Sequence, residues 1–105
     1  VLYICILKTL DPHRMFDSVG LLAEFLGTFL LVLSALATNG NAYAVGGTLA
    51  LVILLIGKLS GGHVNPAVSA AMYMKGSLSL KELLAYSASQ VAGGVVSLYA
   101  YRVFA

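Results

Sequence analysis

The chemistry of this chain is concentrated in one short run, Ser60-Gly61-Gly62-His63-Val64-Asn65-Pro66-Ala67. Asn65-Pro66 has the form of a helix start, because asparagine is a strong N-cap and proline suits the first turn, where no amide donor is needed. Such a start presents unpaired amide hydrogens and about half a unit of positive charge. That field repels cations, and the Asn65 side chain can donate an amide hydrogen to a passing oxygen. Gly61 and Gly62 permit close approach and unusual dihedrals. The carbonyls of Gly61, Gly62, His63 and Val64 could form a row of acceptors for a neutral permeant. His63 invites a metal or proton-relay reading, but no second histidine, cysteine or carboxylate stands at ligand spacing. The expected role is to hold the segment by side-chain hydrogen bonds, with its carbonyl turned to the permeant. Asn-Pro is also a common turn dipeptide, and only its surroundings decide against that reading.

Those surroundings are apolar. Of the 105 residues, 60% are hydrophobic and 10% charged, where a soluble domain carries roughly 25% charged residues. Lipid is therefore the expected solvent. The net charge of +2 is small and spread along the chain, which excludes a nucleic-acid partner. The single cysteine, Cys5, excludes an intrachain disulfide. A first span is expected over 19–38, of ~20 residues, the length needed for a hydrocarbon core of about 30 Å. Asn39-Gly40-Asn41 is a polar turn. A second span follows over 42–59, with Lys58 snorkelling at its end. After 60–65 comes a short apolar helix, Pro66–Lys75, roughly 15 Å long and so about half a bilayer. Gly76 is the expected stop, Ser79 the expected cap, and Leu80–Phe104 the third span. Residues 1–18 read as an interfacial segment, with a break and helix start at Asp11-Pro12. Val1 in place of methionine implies a processed or partial chain, and no secretory signal is expected, because the apolar run Val1–Leu7 is short and no basic segment precedes it. Five of the six basic residues (Lys8, Arg14, Lys58, Lys75, Lys81) share one face if the half-length helix returns to the side it entered; Arg102 is the exception. That face is expected to be cytoplasmic.

Two further polar residues stand inside spans. Glu24 is a carboxyl at membrane depth, a functional hypothesis by default. Gly27, Thr28, Leu31, Ala35 and Thr38 share its face, which is small and polar, as a helix interface in lipid should be. The bland alternative is snorkelling to the headgroups. Gln90 shares a face with Tyr86, Gly93, Ser97 and Tyr101, and its bland reading is a generic interhelical hydrogen bond. Gly46, Ala50 and Gly57 form a small-residue stripe, read as close helix packing.

Residues 60–69, Ser-Gly-Gly-His-Val-Asn-Pro-Ala-Val-Ser, closely resemble the first signature loop of the aquaporin (major intrinsic protein) family. Ala23-Glu24-Phe25-Leu26-Gly27-Thr28 resembles that family's first-helix motif, and Ala85-Tyr86 with Gln90 and Gly93 its third helix. The resemblance covers about 21–101. It implies an all-α membrane protein: an aquaporin-like half with three transmembrane helices and one re-entrant half-helix, occupying 19–105 as the first repeat. It further implies that Glu24 accepts hydrogen bonds from the re-entrant backbone, that Gln90 faces the same loop, and that the protein is a homotetramer. The chain departs from the family in two ways. Asn-Pro-Ala occurs once, so the second half-channel repeat, with the arginine usual at the narrowest point, is missing or is replaced by a second chain of opposite orientation. Val45, twenty residues before Asn65, stands where water-selective relatives usually carry an aromatic residue; Tyr43 lies about 200° away around the helix and cannot substitute.

The expected function is passive conduction of water, with glycerol-like solutes also passing and ions excluded. The competing reading is a non-conducting membrane protein that keeps the fold for assembly. No nucleophile–base pair, carboxylate pair or phosphate loop supports an enzyme, and no cofactor or metal is called for. Secondary transporters also use buried half-helix ends, but the signature residues match the channel family.

Overall fold

The computed structural model describes residues 18–105, so the interfacial segment and the Asp11-Pro12 start lie outside the described residues. Four helices follow: α1 (Ser18–Ala37), α2 (Ala42–Ser60), α3 (Pro66–Lys75) and α4 (Leu80–Phe104). Each agrees with the expected segment to within one residue. α1, α2 and α4 are long and apolar enough to cross a membrane. α3, with 10 residues, reaches about 15 Å, half the hydrocarbon thickness.

The helix ends follow from local chemistry. In the turn after α1, Asn39 and Gly40 both take positive φ (57° and 76°), and the Gly40 N–H returns to the Ala35 carbonyl at 2.8 Å. Asn41 caps α2 through its side chain, which accepts from the Ala44 N–H at 3.0 Å. α3 closes in a Schellman turn: Gly76 (φ 94°) donates to the Tyr73 carbonyl, and Ser77 donates to Met72. Ser79 and Glu82 form a reciprocal capping box at the start of α4.

α1 packs along both α2 and α4, and α3 lies on α4. The approach of α1 to α4 is set by Gly93, where a Cβ would lie 2.3 Å from the Phe25 carbonyl oxygen and 3.2 Å from the Phe29 nitrogen. Only glycine allows the two backbones to meet in this way, as small residues do between helices in lipid. On α2, in contrast, Gly57 is buried while Gly46 and Ala50 are exposed. A Cβ on Gly46 would meet nothing within 4 Å, so the stripe does not pack as one unit among the described residues.

The interior is polar and the exterior apolar. Glu24, Ser60, Ser69, Ser97 and Gln90 are buried, while Leu54, Leu55, Leu84 and Val91 are exposed. A soluble domain has the reverse arrangement. A bundle in lipid must satisfy its polar groups internally, and this one gathers them where α1, α2, α3 and α4 converge.

Candidate functional site

The site is built on Glu24, which is fully buried and lies about 9 Å along α1 from its start. Four groups donate to its carboxylate. Oε2 accepts from the Ser60 hydroxyl at 2.5 Å and from the His63 N–H at 3.0 Å. Oε1 accepts from the Val64 N–H at 2.7 Å and from Gln90 Nε2 at 2.8 Å. Three of these partners, the two backbone amides and the Gln90 amide, can only donate. Glu24 therefore does not snorkel; it ties the loop to α1 from one side and Gln90 to it from the other.

The loop conforms to this anchor. Gly61 ends α2 with φ 98°, its N–H on the Gly57 carbonyl. Gly62 takes φ 66°, and a Cβ there would lie 3.3 Å from Ile53 Cα. The chain thus doubles back along α2 by seven residues, about 10 Å of helix. Val64 also takes a positive φ, 46°, which is rare for a β-branched residue and costs on the order of 1–3 kcal/mol. Its N–H on Glu24 and its burial at 3% exposure hold it there.

This anchoring sets the direction of the loop carbonyls. In a trans peptide the C=O points opposite to the following N–H. The N–H groups of His63 and Val64 aim at Glu24, so the carbonyls of Gly62 and His63 aim away from it. The Gly62 N–H turns toward Ser60 Oγ at 3.2 Å, which turns the Gly61 carbonyl away from that hydroxyl. The Ser60 carbonyl is itself held by the Tyr86 hydroxyl at 2.6 Å.

Asn65 begins α3. Its Oδ1 accepts from the Ala67 N–H at 2.8 Å, which leaves its amide hydrogens on the opposite, exposed side. Burial changes abruptly here: 61–64 are buried, whereas Asn65, Pro66, Ala67 and Val68 are exposed. His63 is buried, with Nδ1 3.0 Å from Ser69 Oγ and its ring tilted against Tyr86 at 5.1 Å. Its side chain ties the loop to α3 through Ser69; among the described residues no group of three His, Cys, Asp or Glu gathers. Gln90 Nε2 donates to Ser69 Oγ at 2.9 Å as well as to Glu24.

The structure thus brings together Glu24, Gly61, Gly62, His63, Val64, Asn65 and Gln90. Val45 stands apart in the first turn of α2, half-buried, eight residues or about 12 Å beyond the level at which Gly62 meets Ile53. Tyr43 is 91% exposed. Two members of the site escape a reading of the sequence, the hydroxyls of Ser60 and Ser69, both fully buried. Their signal was a polar residue next to each end of the loop in otherwise apolar helices.

The profile of the family described as major intrinsic protein matches residues 13–104. The chain belongs to the major intrinsic protein family. Glycerol uptake facilitator protein-like 6 of Lactiplantibacillus plantarum is 37% identical over 91 residues, covering 79% of this chain and 42% of that protein. Aquaporin NIP1-1 of Arabidopsis thaliana is 35% identical over 96 residues, covering 79% of this chain and 32% of the relative. Aquaporin Z of Photorhabdus laumondii is 33% identical over 99 residues, covering 81% of this chain and 43% of the relative. The chain spans less than half the length of these curated relatives. No solved structure matches. Membership in the family and three apolar helices make this an all-α, multi-pass integral membrane protein with an aquaporin-like half.

Proposed function

We propose that residues 19–105 are the first repeat of a channel that passes water and small neutral solutes such as glycerol and excludes ions. The observation that carries this reading is the orientation of the loop. Glu24 takes the amide hydrogens of His63 and Val64, so the carbonyls of Gly62 and His63 turn to the opposite side. There they can replace the hydration of a neutral permeant, and Asn65 adds donors at the start of α3. Irregular backbone at membrane depth is tolerated where protein buries it or water lines it, and the change from buried Val64 to exposed Asn65 fits a loop with one side of each kind. The exposed start of α3 faces a second half-channel repeat in this reading, and the complete protein is a homotetramer. The lysines at the loop end of the bundle, Lys58, Lys75 and Lys81, support a cytoplasmic position for that end.

Both a glycerol facilitator and aquaporins are among the relatives. Val45, smaller than an aromatic residue, favours passage of solutes larger than water. Stopped-flow light scattering on proteoliposomes of the full protein tests this: faster osmotic shrinkage and faster glycerol entry than empty vesicles are expected. Correctly folded protein that left both rates unchanged would reject the reading.

A further inference from the structure

We infer that Ser69 is a positioning residue that fixes His63 as the neutral Nε2–H tautomer, through a chain of hydrogen bonds whose direction is set at Glu24.

The hydrogen bonds have one end whose direction is fixed. Backbone amides only donate, and those of His63 and Val64 occupy one position on each oxygen of Glu24. Gln90 approaches Oε1 with its amide nitrogen, which also only donates. The same nitrogen lies 2.9 Å from Ser69 Oγ, so that hydroxyl accepts from Gln90. The hydroxyl hydrogen of Ser69 must then find an acceptor. Serine on a helix often turns it to a carbonyl three or four residues back, as Ser34 and Ser97 do here, but the Ser69 hydroxyl makes no bond to the Pro66 or Asn65 carbonyl. Among the described residues, the remaining atom within reach of Ser69 Oγ is His63 Nδ1, at 3.0 Å. Ser69 therefore donates to Nδ1, and Nδ1 carries the lone pair. A neutral imidazole with an acceptor at Nδ1 has its proton on Nε2.

The tautomer follows from hydrogen-bond direction alone. That it matters to a pore rests on the proposed function: it orients the ring behind the His63 carbonyl and leaves the loop with an uncharged imidazole. The same chain carries the anchor from α1 through α4 to α3, since Ser69 is the group by which the half-helix joins Glu24 and Gln90.

The test is nitrogen-15 NMR of the full-length protein in lipid bilayers with labelled histidine, which reads the tautomer without reference to transport. The wild type is expected to show His63 as a single form, protonated on Nε2, with a through-space correlation between Nδ1 and the Ser69 hydroxyl hydrogen. Ser69→Ala, which deletes the donor, and Gln90→Leu, which frees Ser69 to accept, are each expected to produce a mixture of tautomers. A wild-type His63 protonated on Nδ1 would overturn the assignment even if neither variant folds. So would folded variants whose His63 signals match the wild type. A protein that shows the predicted tautomer but conducts nothing would leave this assignment intact and reject the proposed function.

Discussion

Val64 fills the space that a side chain on Gly27 would need: a Cβ at Gly27 would lie 2.8 Å from Val64 Cγ1, with Ile56 Cδ1 at 2.8 Å and Val52 Cγ1 at 2.9 Å. The missing side chain on α1 is thus matched to a strained residue of the loop, three positions along the same helix from the carboxylate that holds that residue's N–H. Space and hydrogen bond come from one helical face.

Gly27→Ala and Gly93→Ala are expected to destabilise by different routes. At Gly27 the clash is with three side-chain tips; Ile56 can turn aside, while Val64 is pinned by its backbone. Overpacking of this kind costs about 1–3 kcal/mol. At Gly93 the clash is with the α1 backbone itself, so α1 and α4 must separate. Thermal denaturation in detergent should rank the variants wild type, Gly27→Ala, Gly93→Ala in falling order, and the reverse order of the two variants would contradict this account of the α1–α4 contact.

Glu24→Gln keeps the shape and replaces an acceptor by a donor. The new amide must face one of its present partners, and the His63 and Val64 N–H groups cannot reverse. One buried donor is left without an acceptor, which costs about 1–3 kcal/mol. Lower thermal stability and slower osmotic shrinkage of proteoliposomes are expected together. A variant that matched the wild type in both would show that the loop is held by other means.

Asn65→Asp should separate fold from permeation. Oδ1 still caps α3, and a negative charge at a helix start is favourable by about 0.3–1 kcal/mol, so stability is retained. The amide hydrogens are lost and the field at the exposed helix start is neutralised, so cation exclusion weakens. Cation flux measured beside water flux in the same vesicles reads this; tight exclusion in the variant would count against a selectivity role for Asn65.

Much of this was legible in the sequence because it is local. The lengths of the apolar runs set α1, α2 and α4. Asn65-Pro66 and Gly76 bracket α3, and Ser79 with Glu82 writes the start of α4. Glu24 and Gln90 stood out as polar residues in apolar spans. What escaped was pairwise. Ser60 and Ser69 acquire roles only when residues 36 and 21 positions away, Glu24 and Gln90, are brought to them. The left-handed backbone of Val64 runs against the preference of a β-branched side chain; no local rule suggests it, and it is imposed by Glu24 on one side and Gly27 on the other. Spacing does not say which face of α2 meets a neighbour: of Gly46, Ala50 and Gly57, only Gly57 is buried among the described residues.

The anchoring of the loop to α1 has a consequence for how the chain is made. Glu24 leaves the ribosome 36 residues before Ser60, its first partner, and 66 residues before Gln90, its last. At about 5–20 residues per second, the wait for Gln90 is about 3–13 s. Until the loop and then Gln90 arrive, the nascent first helix carries a carboxyl group without its hydrogen-bond donors, and an unpartnered ionisable side chain within a span is costly to leave in lipid. Settled residence of α1 in lipid is therefore a late event, completed when α4 arrives, and chains truncated ahead of Gln90 should show incomplete insertion of α1 when the exposure of its flanks is mapped.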